Sequence, residues 1–374
     1  MKTKIAFFLP HFDSGGAEGV VLRVLNGLDR DRFVPELLLQ DRRGALLERL
    51  PGDVPVVGLR PSRPPLCVPA LARCARERGL ALVAAVNNAN NLYALAASRM
   101  PGAAFATLVM EHTPPSAFLR EAKRPMLRRW LMGALYPKAD LAAGPLDEIG
   151  SDLDGFLGER APPYLTLPNP VVDRLHPPGT VPKVATRIVS VGRLAPEKRF
   201  DLLIDAFAIA HAARPDIRLT IVGEGPERGA LQTRIDAADL RGVVSLPGYR
   251  ADVDAVHAES DLFVCTSRRE GLGNAIIEAM ARGVPVLSVD CPFGPRRLLR
   301  GGAAGTLLAS DDAVAIATGI LDVIADPALR QRHVLVGQDA IGAYDAASAV
   351  RGYANAFDAA IASRAARAGT HRGQ

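Results

Sequence analysis

The stretch from Ser267 to Pro285, SRREGLGNAIIEAMARGVP, sets two glutamates, Glu270 and Glu278, on either side of a glycine turn with seven residues between them. Arg268, Arg269, Glu270, Gly271 and Gly273 form a loop that feeds a short apolar helix. That helix is expected over Ala275 to Ala281, with Asn274 as its N-cap and Gly283 and Pro285 as its stop. The flanking runs, Asp261 to Thr266 and Pro285 to Val289, are short and almost wholly apolar, as parallel strands buried on both faces are. Open α/β sheets place ligands at a loop that leaves the C-terminal end of such a strand. Two carboxylates there can hold a hydroxyl-rich group, and backbone N–H groups between them suit an anion. Both glutamates can equally be solvated charges, and the stretch by itself leaves the two readings open.

Working outward, strand and helix alternate twice along the chain. Strands are expected at Lys4–Leu9, Val34–Leu39, Val54–Leu59, Ala81–Val86, Ala104–Met110 and Asp140–Ala143. Helices are expected between them at Ala17–Leu28, Leu66–Arg78, Leu92–Arg99 and Ser116–Leu135. The pattern breaks near Tyr164, and the proline-rich piece His176–Pro182 reads as a link. Strands resume at Arg187–Val191, Arg218–Val222 and Val243–Leu246, with a last one at Ala304–Leu308; thereafter the chain is helical to Arg364. This predicts an α/β protein of two doubly wound, Rossmann-like parallel-sheet domains, facing across a cleft. Their expected bounds are 1–168, 169–344 and a C-terminal helix with a disordered tail, 345–374.

Composition sets limits. With 374 residues, 48% of them hydrophobic, the chain has material for two cores. The N-terminal run MKTKIAFFLPHFDSGG is too short in its apolar part for a signal peptide, and no run is long enough to cross a bilayer. Cys67, Cys74, Cys265 and Cys291 show no C-x-x-C spacing and the seven histidines no ligand motif, so a cytoplasmic protein without a bound metal is expected. The net charge is +5, and residues 1–168 carry 21 Lys and Arg against 17 Asp and Glu. Phe118–Lys138 concentrates it, with Arg120, Lys123, Arg124, Arg128, Arg129 and Lys138 beside the only tryptophan, Trp130. Such a helix either docks on the anionic inner face of the cell membrane or packs its apolar stripe on its own domain. Few aromatics and no recognition motif argue against nucleic acid.

Two further turns can hold phosphate. Gly15 and Gly16 precede a helix, where the backbone approaches a ligand and the helix N-terminus favours negative charge. In Ser190–Lys198, SVGRLAPEK, Arg193 and Lys198 sit in a strand-to-helix loop, spaced to clamp a diphosphate or simply to be surface charges. Gly225 in Gly223-Glu224-Gly225-Pro226 is expected to supply an unusual dihedral, with Pro226 at a helix start. Asp252-Val253-Asp254 has a metal-binding spacing but opens a helix, where Asp is a common cap.

Taken together, GGAE (Gly15–Glu18), EHT (Glu111–Thr113), PNPV (Pro168–Val171), SVGRLAPEK, IVGEGPER (Ile221–Arg228) and the paired glutamates resemble retaining glycosyltransferases of family 4. Asp290–Pro295, DCPFGP, is similar to members that build bacterial surface glycans on lipid carriers. The resemblance implies a GT-B fold and transfer of a hexose or N-acetylhexosamine from a nucleotide sugar, UDP being favoured, to a glycan or lipid-linked acceptor, with no further cofactor. It implies that Arg193 and Lys198 hold the donor diphosphate, Glu278 the ribose, and Glu270 the transferred sugar. The N–H groups of Gly271, Leu272, Gly273 and Asn274 would line the pocket, and Pro247–Arg250, including Tyr249 and Arg250, would contact the base. Gly15 and Gly16 would close over the phosphates, His112 would stand near the transferred sugar, and the helix Ala346–Arg364 would cross back to the first domain. Arg199 and Gly273 depart from the family's usual Gly and Pro. A sugar-nucleotide epimerase or hydrolase, and a non-catalytic partner subunit, are the alternatives.

Overall fold

The computed structural model describes residues 2–13, 15–60, 64–176 and 179–370. It divides into two compact units, Met1–Pro170 with Ala346–Gln374, and Val171–Asp345.

The first unit is a seven-stranded, wholly parallel sheet in the order β3-β2-β1-β4-β5-β6-β7. Its strands are β1 (Thr3–Leu9), β2 (Phe33–Leu39), β3 (Val56–Gly58), β4 (Leu82–Val86), β5 (Ala106–Met110), β6 (Leu141–Gly144) and β7 (Tyr164–Thr166). Helices α1 (Gly16–Gly27), α2 (Pro64–Arg78), α3 (Asn88–Ala97), α4 (Pro115–Glu121), α5 (Pro125–Leu135) and α6 (Asp147–Leu157) connect them. Strands β1, β4 and β5 are apolar almost throughout because both sheet faces are covered.

The second unit has six parallel strands in the order β10-β9-β8-β11-β12-β13. They are β8 (Arg187–Val191), β9 (Arg218–Val222), β10 (Val244–Gly248), β11 (Leu262–Cys265), β12 (Val286–Val289) and β13 (Thr306–Leu308). Helices α7 (Phe200–Ala213), α8 (Arg228–Ala237), α9 (Val253–Ala258), α10 (Asn274–Arg282), α11 (Gly294–Leu298), α12 (Ala313–Ala325) and α13 (Pro327–Ala340) complete it. The final helix, α14 (Ala346–Thr370), belongs to the first unit. Tyr353, Phe357 and Ala360 recur on its buried face, and the Phe357 ring meets Phe7 and Phe33 edge-on at centroid distances of 5.8 and 5.7 Å. Such pairs contribute about 0.5–1.5 kcal/mol each beyond area burial.

Four local expectations are corrected. The single helix over Ser116–Leu135 is two, because Pro125 starts α5 and holds Arg124 out of the helical region, at φ −142° and ψ 69°. Tyr164–Thr166 does not interrupt the sheet but adds its edge strand, hidden in the sequence by its three-residue length and flanking prolines. Asn274 is not an N-cap: Gly273, at φ +91°, takes that position and Asn274 is the first helical residue. Ala365–Thr370 continues α14 rather than forming a disordered tail, while 371–374 lie outside the described residues, as do 177–178 of the proline-rich link.

Candidate functional site

In the second unit's sheet the direction of strand order reverses between β8 and β11. Ligands of open α/β sheets sit outside the carboxyl ends of the strands at such a reversal. The loops leaving these strands meet there. Lys198 Nζ donates to Glu270 Oε1 at 2.5 Å, and Ser267 Oγ donates to the same oxygen at 2.6 Å. Thr266 Oγ1 lies 3.1 Å from the carbonyl oxygens of both Lys198 and Arg199, and Arg268 N–H donates to the Glu197 carbonyl at 2.9 Å. Four contacts therefore stitch the cation-bearing loop to the carboxylate-bearing loop. Burial disfavours the Lys198 ammonium, but the Glu270 charge and hydrogen bond outweigh it, and the lysine pKa is raised. Burial, then Glu270, pushes up the neighbouring Cys265 thiol. Arg193, on the same loop as Lys198, is exposed and enters no ion pair among the described residues.

The turn after β9 presses on the cation loop from the side. Leu194 N–H donates to Glu224 O at 2.9 Å, and Glu227 N–H to Leu194 O at 3.0 Å. Gly223 has φ +151°, and a Cβ there would stand 1.8 Å from Gly192 O. The unusual dihedral thus falls on Gly223. Gly225 has ordinary φ but needs its bareness, since a Cβ would approach Leu194 O to 2.3 Å. Pro226 precedes α8 by two residues rather than starting it. Arg199 occupies the left-handed region at φ +51°, the conformation that the Gly expected there would supply freely. At Gly273, φ +91° is closed to proline, whose ring holds φ near −65°, so this loop takes a backbone path the usual residue could not.

Gly271, Leu272, Gly273 and Asn274 follow Glu270 directly, and Glu278 lies half-buried on α10. Tyr249 and Arg250 are exposed just beyond β10, the edge strand, tied inward by a 3.0 Å bond from Gly223 N–H to Gly248 O. Asp252 caps α9 by accepting the Ala255 N–H at 3.0 Å, and Asp254 pairs with His176 at 3.2 Å. The D-x-D spacing is thus occupied by a cap and an ion pair.

Gly15, Gly16 and His112 lie in the first unit. Gly15 is the N-cap of α1, with Gly16 its first residue. His112 follows β5; burial pulls its pKa down to about 4, so the ring is neutral, and among the described residues its shielded Nε2 has no hydrogen-bond partner. Beside it, Glu111 turns into the interior. Its Oε1 accepts from Asn91 Nδ2 at 3.0 Å, Asn88 Nδ2 at 3.3 Å and the Tyr136 hydroxyl. Burial outweighs these three donors and raises the Glu111 pKa to about 7.

Sequence reading assigned no role to Ser267 or to the Glu111 cluster. The signal for the cluster was the asparagine run Asn87-Asn88-Ala89-Asn90-Asn91, four polar side chains directly after an apolar strand.

Residues 173–336 match the family model described as Glycosyl transferases group 1. The chain spans less than half the length of three curated relatives that it matches at 30–34% identity, including 46% of the lipopolysaccharide core biosynthesis glycosyltransferase LpsE of Rhizobium meliloti. It is 27% identical over 351 residues to an N-acetylgalactosamine-N,N'-diacetylbacillosaminyl-diphospho-undecaprenol 4-alpha-N-acetylgalactosaminyltransferase of Campylobacter jejuni, covering 88% of this chain and 92% of that one. Among solved structures it is similar to Anabaena Alr3699/HepE in complex with UDP and glucose, with a TM-score of 0.78 and 22% identity over 95% of this chain and 99% of that one. The fold is GT-B, and these likenesses support a glycosyltransferase.

Proposed function

We propose that the chain is a retaining glycosyltransferase of family 4. It would move a hexose or N-acetylhexosamine from a UDP-sugar to a glycan or lipid-linked acceptor in cell-envelope polysaccharide or glycoconjugate synthesis. The observation that carries this reading is the Lys198–Glu270–Ser267 cluster at the strand reversal of the second sheet, with Arg193 exposed on the same loop. Breaking the anomeric bond to a nucleoside diphosphate builds negative charge on the departing phosphate and positive charge on the sugar ring. Arg193 and Lys198 answer the first; Glu270 holds the sugar's hydroxyls, Glu278 the ribose, and the Gly271–Asn274 amides the phosphates. Lys198 and Glu270 neutralise each other in this structure, so the diphosphate takes the place of the carboxylate on Lys198 when the donor binds. Tyr249 and Arg250 face the base. In the first unit, Gly15 and Gly16 approach the phosphates and His112 the transferred sugar, its ring neutral and able to meet a hydroxyl. The departing phosphate takes the acceptor's proton, which requires neither a covalent nucleophile nor a metal.

The names of relatives support the donor and acceptor classes: one solved neighbour holds UDP and glucose, and the Campylobacter relative is named for a diphospho-undecaprenol substrate. Peripheral contact with the inner membrane face through 118–138 belongs to the same reading. On α5, Met126 is 78% exposed, Trp130 67% and Leu127 48%, and Lys123 and Arg124 are exposed beside them. Arg128 and Arg129 are less available, since their guanidinium groups cover the Phe118 and Phe156 rings at 5.1 and 4.9 Å. Among the described residues no helix is long and apolar enough to cross a membrane.

The test is a binding screen of UDP- and GDP-sugars on the purified chain, followed by transfer to lipid-linked acceptors with and without EDTA. Transfer with retained anomeric configuration that survives EDTA is expected. Inversion, release of free sugar without transfer, or loss restored only by Mg²⁺ or Mn²⁺ contradicts the corresponding part. Flotation with anionic vesicles, lost on replacing Met126 and Trp130 by Ser and Lys123 and Arg124 by Gln, checks the membrane contact; flotation that never occurs refutes it.

A further inference from the structure

The first unit has its own strand reversal, between β1 and β4, and Asn87 is the first residue past the carboxyl end of β4. Its backbone has φ +74° and ψ +147°. Asparagine tolerates the left-handed helical well, where ψ is near +47°, but this torsion pair lies about 100° away from it, at the edge of a region that is essentially glycine's. A non-glycine residue held there is strained unless something else rewards its side chain.

Among the described residues no hydrogen bond inside the unit does. Asparagine is among the best helix N-caps, and Asn87 occupies the N-cap of α3, yet its side chain makes no cap hydrogen bond. The other three asparagines of the run are all engaged. Asn88 and Asn91 donate to Glu111, and Asn90 donates to Val86 O at 3.1 Å while accepting from Gln40 Nε2 at 2.7 Å. Among the described residues, the Asn87 carboxamide alone in this run enters no hydrogen bond, and the residue is only half-buried. The Val86–Met110 register and the 3.2 Å bond from Asn87 N–H to Met110 O set it beside the start of the loop that carries His112, whose Nε2 also lacks a partner.

We infer that Asn87 is a substrate-contacting residue whose carboxamide receives a hydroxyl of the acceptor sugar. This rests on the glycosyltransferase reading and adds a specificity-determining residue to it. The chemistry is that of a neutral polyhydroxyl: a carboxamide offers one acceptor and two donors, matching a hydroxyl that both gives and takes a hydrogen bond. The groups next to Asn87 in the loops after β4 and β5 are Asn88 and the neutral His112 with the buried Glu111, and the cation that reaches them, Arg128, is tied to Asn88 Oδ1 at 3.4 Å and to the Phe118 ring. The strained backbone keeps the carboxamide out of the cap position it would otherwise take.

Asn87→Gly separates this role from a structural one, because glycine relieves the strain while deleting the carboxamide. The expected results are a rise in Tm of about 2–4 °C, an unchanged Kd for UDP, and an increase in acceptor KM of about tenfold or more. Transfer would be read from UDP-glucose, UDP-galactose, UDP-N-acetylglucosamine and UDP-N-acetylgalactosamine to octyl glucoside and octyl N-acetylglucosaminide. Asn87→Ala, which keeps the strain and loses the group, is expected to lower acceptor use without the gain in Tm. Unchanged acceptor KM in Asn87→Gly overturns the inference, as does a Tm that stays level or falls. A wild-type chain that fails to bind UDP sinks the glycosyltransferase reading instead, whatever the Tm of the variants.

Discussion

The two units repeat one architecture and furnish its strand reversals with different chemistry. At the β8/β11 reversal the groups are full charges in contact, Lys198 on Glu270, with Arg193 exposed nearby. At the β1/β4 reversal the loop after β1 carries an Asp13–Arg43 ion pair at 3.5 Å, while the loops after β4 and β5 hold an amide, a neutral imidazole and a buried carboxyl: Asn87, His112 and Glu111. Burial explains the divergence. Lys198 keeps its charge because a carboxylate stands 2.5 Å away, whereas His112 has no such partner and gives up its proton. One crevice gathers a buried cation and carboxylate in contact, the other neutral groups able to exchange hydrogen bonds.

The sharpest way to break that comparison is Lys198→Ala. Transfer is expected to fall on the order of 100- to 1000-fold, with UDP binding weakened too, measured by product formation and calorimetry. An equal loss of UDP affinity from a first-unit substitution such as His112→Ala would show that the division of labour is wrong.

A second, smaller effect belongs to Glu111. Its pKa is about 7 in the folded chain against 4.5 as the ordinary value, so between these pH values the folded state holds a proton that the unfolded state has released. This group's contribution to stability therefore declines as pH rises from 4.5 through 7 and is level above. His112 works in the opposite sense, since its folded pKa of about 4 against 6.5 removes stability as pH falls through that window. Relative to wild type, Glu111→Gln should gain stability on the order of 1–3 kcal/mol at pH 8 over pH 5. Chemical denaturation at both pH values reads it, and an identical difference at the two would show that Glu111 titrates normally.

The least effect is expected from Ser267→Ala. It removes one 2.6 Å bond to Glu270 and leaves the lysine pair intact, so kcat/KM should drop about tenfold, with Kd for UDP nearly constant. A variant with wild-type turnover would mean Lys198 alone positions the carboxylate.

Much of this was legible in the order of residues. The apolar runs of β1, β4, β8 and β11, and the glycines in the loops after β1, β8 and β11, announced parallel strands with ligand loops, since those features depend on neighbours a few residues apart. The role of Gly223 was misread as Gly225's because the reason lies in another loop, at Gly192 O. The break at Pro125 was legible and overlooked, while the three residues of β7 became a strand only by pairing with β6. The motif resemblance pointed to Lys198 and Glu270 separately; that they touch, across 72 positions of sequence, was not written in either loop.

What the sequence determined by itself was the alternation of elements, the doubly wound class and the residue types gathered at strand ends, because periodicity, caps and turn chemistry act over one or two turns. What only the tertiary structure decided was which of those groups meet and in what state. The order β10-β9-β8-β11 brings Lys198 to Glu270 and Ser267. Packing of α3 and α5 on β5 surrounds Glu111 and shifts its proton affinity, and the path from β4 into α3 leaves Asn87 strained with its carboxamide unspent. Burial and electrostatic coupling depend on neighbours in space, and those are set by the folding of distant segments against one another.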